Sequence, residues 1–189
     1  EERWQGDAEQ MKARIEFSRI LEGGETVRWL QFNAFLNAQS EFAYFSNMLI
    51  TRNEDQILFR YGPEAHKIQS APTLFSSAWH YVEHTRELYR IYRLPVWLGA
   101  EGQGTLLLLK AVNHTALADI SAPETHLHLY FHGQSLASSN DDNSDTIHPG
   151  TKALHSPAGV PLIQADLPWP GSGLQPTLIV HREMVSAYP

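Results

Sequence analysis

Four consecutive leucines, Leu106 to Leu109, narrow the folds open to this chain more than any other feature. Successive strand side chains point to opposite faces, so an unbroken apolar run of strand length is satisfied only where both faces of a sheet are covered. The preceding stretch, from Glu87 to Trp97, alternates instead: Leu88, Arg90, Tyr92 and Leu94 fall on one face, and Glu87, Tyr89, Ile91 and Arg93 on the other. Gly99, Gly102 and Gly104 lie between the two segments and let the backbone reverse. Glu87 to Lys110 therefore reads as a buried hairpin at the centre of a sheet.

Ahead of the hairpin the spacing is helical. Trp4, Ala8, Met11 and Ile15 recur at three- and four-residue intervals, and Gly23-Gly24 interrupts the pattern. A second stripe, Val27, Leu30, Ala34, Ala38, Phe42, Phe45 and Leu49, predicts a long second helix of about seven turns at 3.6 residues per turn. Packing against a core accounts for both stripes; pairing of the first helix with a copy of itself is the functional alternative. Residues 1–52 are thus expected to be a helical region, and 53–189 a sheet domain. Within the latter, Gln56 to Tyr61 reads as a strand closed by Gly62-Pro63, and Ala78 to His84 as another. Asn113 is placed to cap a short helix ending before Pro123, and Thr125 to Ser138 reads as a second hairpin. Ser139 to Gly159 is a polar surface loop, and Val160 to Ala165 and Gln175 to His181 are the last two strands. Helices followed by strands without βαβ alternation predict an α+β fold with a central antiparallel sheet.

The charge balance excludes one class of partner. With 14 Lys and Arg against 21 Asp and Glu the net charge is −7, and no basic run offers a surface to a nucleic acid. There are no cysteines, hence no disulfides or thiolate metal sites. No stretch approaches the roughly 20 apolar residues that a membrane-spanning helix requires. The chain opens at Glu1 without an initiator Met and stops at Pro189, which fits a piece excised from a longer protein.

Motifs for chemistry are sparse. His126 and His128 lie two apart on a strand, so their side chains project in parallel as metal ligands can, with His132 beyond them; a half-buried sheet face is the plainer reading. Asp141, Asn143 and Asp145 have the first spacings of a calcium loop, but Thr146 stands where that loop needs glycine and Lys152 where it needs glutamate. The glycines of the hairpin lack the dinucleotide spacing, and no nucleophile elbow or phosphate loop is present. The chain itself is read as non-enzymatic and without a cofactor. Aromatic and arginine side chains are denser: Trp79, Tyr81, Tyr89, Arg90, Tyr92, Arg93 and Trp97 lie close together on adjacent strands. Aromatic walls with an arginine fork suit a small-molecule pocket. Trp79, Tyr81, Arg90, Tyr92 and Trp97 are the expected ligand contacts, with Arg90 and Tyr92 on the more apolar face of their strand.

The order of elements, together with Ile57 to Gly62 (ILFRYG), Gly104 to Ile120 (GTLLLLKAVNHTALADI), His126 to Ser139 (HLHLYFHGQSLASS) and Pro176 to Glu183 (PTLIVHRE), resembles the PAS-like extracytoplasmic sensor domains. These include the Cache and CHASE families of bacterial receptors. The likeness is greatest to CHASE-type domains ahead of diguanylate cyclase or histidine kinase modules. It covers about Gln31 to Met184, but the Cache amino-acid signature is not reproduced, so amino-acid binding is not carried over. The resemblance implies a periplasmic sensor of a small-molecule or protein signal, dimeric and tethered by flanking membrane helices to a cytoplasmic output module. The alternatives are a soluble His-rich metal-binding β protein or metal-dependent enzyme using His126 and His128, and an interaction domain without a pocket.

Overall fold

The computed structural model describes residues 2–23, 25–38, 45–54, 56–69, 74–75, 77–83, 85–121, 125–131, 134–139, 162–166 and 177–182. The chain is mixed α+β and divides into two compact units, Glu1–His80 with Tyr89–Ala111, and Tyr81–Leu88 with Val112–Pro189. The boundary expected near residue 52 does not coincide with this division, because the first sheet recruits residues on both sides of it. A single central sheet is likewise replaced by two sheets.

Helices α1 (Glu2–Ser18) and α2 (Glu25–Ala38) precede strands β1 (Asn47–Thr51) and β2 (Ile57–Tyr61), a short helix α3 (Pro63–Lys67), β3 (Trp79–Val82), β4 (Glu87–Trp97) and β5 (Gln103–Ala111), all in the first unit except the end of β3 from Tyr81 and the first two residues of β4. The five strands form one sheet in the order β2-β1-β5-β4-β3, which puts β5 in the middle. Leu106 to Leu109 are completely buried, as the unbroken run requires. Antiparallel register pairs Arg93 with Leu107, Tyr92 with Leu108 and Arg90 with Lys110, and β1 pairs Leu49 with Leu107. Directly paired residues share a face. One face thus carries Thr51, Leu49, Leu107, Thr105, Arg93 and Pro95; the other carries Ile50, Met48, Leu106, Leu108, Lys110, Arg90, Tyr92 and Phe59.

The two N-terminal helices cover the second of these faces. The stripe Trp4, Ala8, Met11 and Ile15 is at most 5% exposed, so α1 spends its apolar side on its own core. Lys110 lies 5.2 Å from the centre of the Trp4 ring, and Phe45 meets Tyr92 edge-on at 6.0 Å. On α2, Phe32 and Trp29 pack on Phe59, with ring centres 5.0 and 5.2 Å away. The side of α2 that packs differs from the expected one: Arg28, Phe32 and Leu36 are buried, whereas Val27 and Leu30 are 58% and 70% exposed. Nor does the helix run on to Leu49. Phe45 lies outside it, and Asn47–Thr51 is a fully buried strand. A run such as NMLIT reads equally well as either element until its two covered faces are known.

On the opposite face lie α3, Ile68 and Leu74. Asn47 Oδ1 accepts from the backbone N–H of Glu64 and Ala65 at 2.8 and 3.2 Å, capping α3 from beneath, and Arg60 Nε donates to the Ile68 carbonyl at 3.3 Å. The β4–β5 connection is a single 3-10 turn at Gly99–Glu101. Gly99 and Gly102 sit there at φ +61° and +84°, the left-handed conformations expected of a reversal.

In the second unit, α4 (His114–Ile120) is capped as expected: Asn113 Oδ1 accepts from the Ala116 N–H at 3.0 Å. Strands β6 (Thr125–Phe131), β7 (Gln134–Ser138), β8 (Leu162–Asp166) and β9 (Thr177–Arg182) form an antiparallel sheet in the order β7-β6-β9-β8. Ser139 closes its first hairpin by receiving the Leu127 N–H on its hydroxyl and donating its own N–H to the Leu127 carbonyl, both at 2.8 Å. The acidic segment with Asp141, Asn143 and Asp145 lies outside the described residues. Among the described residues no helix is long and apolar enough to cross a membrane.

Candidate functional site

A cleft of about 400 Å³ opens on the first unit's sheet face, at the end of β5 that starts the strand. Arg52, Phe75, Arg93, Pro95, Gln103, Gly104 and Thr105 line it. Each arrives from a different local cause. Arg52 follows the last residue of β1, Arg93 and Pro95 alternate on β4, and Gln103 to Thr105 open β5. Gly104 brings the backbone in closely: a Cβ there would stand 2.5 Å from Leu98 Cδ1 and 2.7 Å from the Thr51 carbonyl oxygen.

Arg93 is half buried and held by backbone alone. Its Nε donates to the Leu74 carbonyl at 2.8 Å, and Nη2 donates to the same oxygen. Among the described residues no carboxylate pairs with it. Burial pushes its guanidinium below its ordinary value, and repulsion from Arg90 pushes the same way. The other arginine of the cleft is compensated. Arg52 Nη2 bonds one oxygen of Glu101, while the other oxygen receives Arg28 Nη2 at 2.6 Å. Arg28 is 1% exposed on α2, and its Nη1 also reaches the Leu21 carbonyl at 3.4 Å. Glu101 sits in the β4–β5 turn with its carboxyl held below the ordinary carboxylate range, chiefly by the bond from Arg28, against the opposing effect of burial and with help from Arg52. One carboxylate thus links the cleft wall to helix α2.

The residues expected to contact a ligand are distributed otherwise. Arg90, Trp79 and Tyr92 do come together: the Arg90 guanidinium lies 5.1 Å from the Trp79 ring centre and 5.6 Å from that of Tyr92, and donates to the Ala78 carbonyl at 2.9 Å. Tyr92 is 3% exposed and belongs to the face covered by α1, the one opposite the cleft. Trp97 is 56% exposed and Tyr81 falls in the second unit; none of the five lines the cleft. Alternation along β4 separated Arg90 from Arg93 correctly but did not say which face stays open.

Arg28, Arg52, Glu101 and Phe75 were not singled out from the sequence. Arg28 left one trace there, an arginine in register with Phe32 and Leu36 on a helical stripe. Glu101 left none, because its two partners are 73 and 49 positions away. Of the histidines, backbone register sets His126 opposite His181, with His128 two positions along β6. The His126 and His181 side chains lie outside the described residues, and no cluster of three or more metal-ligating side chains is found among those described. Comparison of the chain with protein-family models, with curated proteins and with solved structures gave no match.

Proposed function

We propose that the chain is an extracytoplasmic ligand-sensing domain of PAS-like type, part of a transmembrane signalling receptor, in which occupation of the cleft is passed to the N-terminal helices. The supporting observation is the Glu101 bridge: Arg52 on the cleft wall and the buried Arg28 of α2 share one carboxylate. A ligand that redirects Arg52 changes what Glu101 offers Arg28. That is a differential interaction between two arrangements, which a conformational signal requires. The β4–β5 hairpin at the middle of a five-stranded antiparallel sheet, with both helices on one face, agrees with the resemblance read from the sequence. In this reading membrane helices flank the domain in the parent protein, and two copies associate. Val27, Leu30, Ala34 and Ala38 are exposed on α2 at seam-like spacing, so the pairing surface is α2 rather than α1.

The test is a thermal-shift screen of small metabolites, with every hit followed by amide hydrogen exchange. A sensing domain gives hits that alter exchange in residues 25–38. Absence of any stabilising compound, or hits that leave both helices unchanged, contradicts it.

A further inference from the structure

The cleft carries more positive charge than it balances. Two arginines, Arg52 and Arg93, line it, and the neighbouring carboxylate, Glu101, bonds Arg52 and the buried Arg28 but not Arg93, in a chain whose net charge is −7. Glu101 is fully committed, one oxygen to each of its two arginines. Arg93 therefore stands against the cleft with no counter-charge from the described residues. Its geometry leaves donors to spare. A guanidinium has five N–H donors in a planar fork. Arg93 spends the edge formed by Nε and Nη2 on the Leu74 carbonyl, which fixes the plane of the group and leaves the Nη1–Nη2 edge unspent. Two parallel N–H donors on one edge match the two oxygens of a carboxylate. Arg52 adds a second donor on the same wall, with its Nε buried and without a partner among the described residues. Phe75 and Pro95 supply the apolar surface.

We propose that this cleft binds a small organic carboxylate, its carboxyl group on the free edge of Arg93 and its carbon body against Phe75 and Pro95, with Arg52 as the second cationic contact. The ligand class deepens the sensing reading and rests on the same cleft. An arginine already locked by a carbonyl loses little freedom on binding, and its guanidinium is weakly hydrated, so a carboxylate competes well there with water. A ligand oxygen that reaches Arg52 competes with Glu101 for it, which ties the site's chemistry to the bridge described above. A second carboxyl group suits this wider grip, so a dicarboxylate is expected to hold better than a monocarboxylate of similar size.

The probes are benzoate and succinate, with benzamide as the neutral counterpart and inorganic phosphate as the competing anion, titrated calorimetrically at constant ionic strength. The proposal expects both carboxylates to bind, succinate the tighter, and benzamide at least tenfold weaker than benzoate. Arg93→Gln is expected to lower carboxylate affinity by ten- to a hundredfold. Because loss of the Leu74 bonds can loosen the fold, Phe75→Ala is the second variant; it should weaken benzoate severalfold and inorganic phosphate not at all. Equal binding of benzamide and benzoate, unchanged carboxylate affinity in Arg93→Gln, or no carboxylate binding by the folded wild type overturns the proposal. So does phosphate binding tighter than succinate, which makes the site a phosphate site. Failure here is separable from failure of the sensing reading: neutral compounds that bind and alter exchange in α2 leave sensing intact without the carboxylate, and carboxylates that bind at Arg93 without altering α2 do the reverse.

Discussion

Glu101 holds two arginines at once, one on each carboxylate oxygen. Arg28 is as buried as a core leucine, and taking its counter-charge away leaves a cation in a dry environment, so Glu101→Ala is expected to cost about 3 kcal/mol in urea denaturation. The pH dependence has a definite sign. Folding depresses the Glu101 pKa, so the ionised form is the one that folding favours. That stability is fully present above the unfolded carboxylate value of about 4.3 and is lost as pH falls through the lower folded value. Wild type should therefore weaken below about pH 4 more steeply than Glu101→Gln, measured as denaturation midpoint against pH; parallel curves would show that the bridge carries no linkage. Thr51 offers the opposite case. It is completely buried and its hydroxyl has no hydrogen-bond partner among the described residues, so a methyl group in its place removes a desolvation cost without breaking a bond. Thr51→Val is expected to raise stability by about 1 kcal/mol; a loss of that size would mean the hydroxyl is satisfied.

At the scale of elements the sheet depends on β5, which is hydrogen-bonded on both sides and covered on both faces. Truncating Leu108 to alanine should cost about 3 kcal/mol, as cavity formation in a closed core does, whereas Leu30→Glu on the exposed side of α2 should change monomer stability by less than about 0.5 kcal/mol. The same Leu30→Glu change should convert a dimer to a monomer by light scattering; a dimer indifferent to it pairs through another surface. These two positions also mark what the sequence could tell. Leu106 to Leu109 fixed the centre of the sheet because a run without alternation has one solution. The α1 stripe was legible because each apolar position repeats on one face. On α2 the apolar residues lie on two sides, Val27 and Leu30 against Phe32 and Leu36, and a pattern that is apolar nearly all round does not say which side the sheet takes. Asn47 to Thr51 is five residues long, too short for periodicity to tell strand from buried helix, so its apolar residues read as a continuation of the helix before it. For the site, alternation placed Arg90 and Arg93 on opposite faces. Which face stays open depends on Leu74 and Phe75 crossing one of them, a contact 19 positions away in sequence from Arg93 to Leu74.

Across the whole molecule the chain enters the first unit twice. It builds α1 to the start of β3, passes within β3 into Tyr81–Leu88 of the second unit, and returns within β4 to complete β4 and β5. Both sets of residues that form the cleft and its bridge belong to the first unit: Arg28, Arg52 and Phe75 come from the first passage, and Arg93, Glu101 and Thr105 from the second. The site therefore exists only when the β4–β5 hairpin is docked between β1 and β3, and anything that biases the hairpin biases the arginines it meets. Coupling of this kind is a free-energy difference between two arrangements of one network, read at the helix that shares the carboxylate. The most direct measurement is amide hydrogen exchange of residues 25–38, compared with and without succinate at equal fractional occupancy in wild type and in Glu101→Gln. The account predicts a ligand-dependent change in α2 of wild type that is lost in Glu101→Gln; an identical change in the variant, or no change in either, would contradict it.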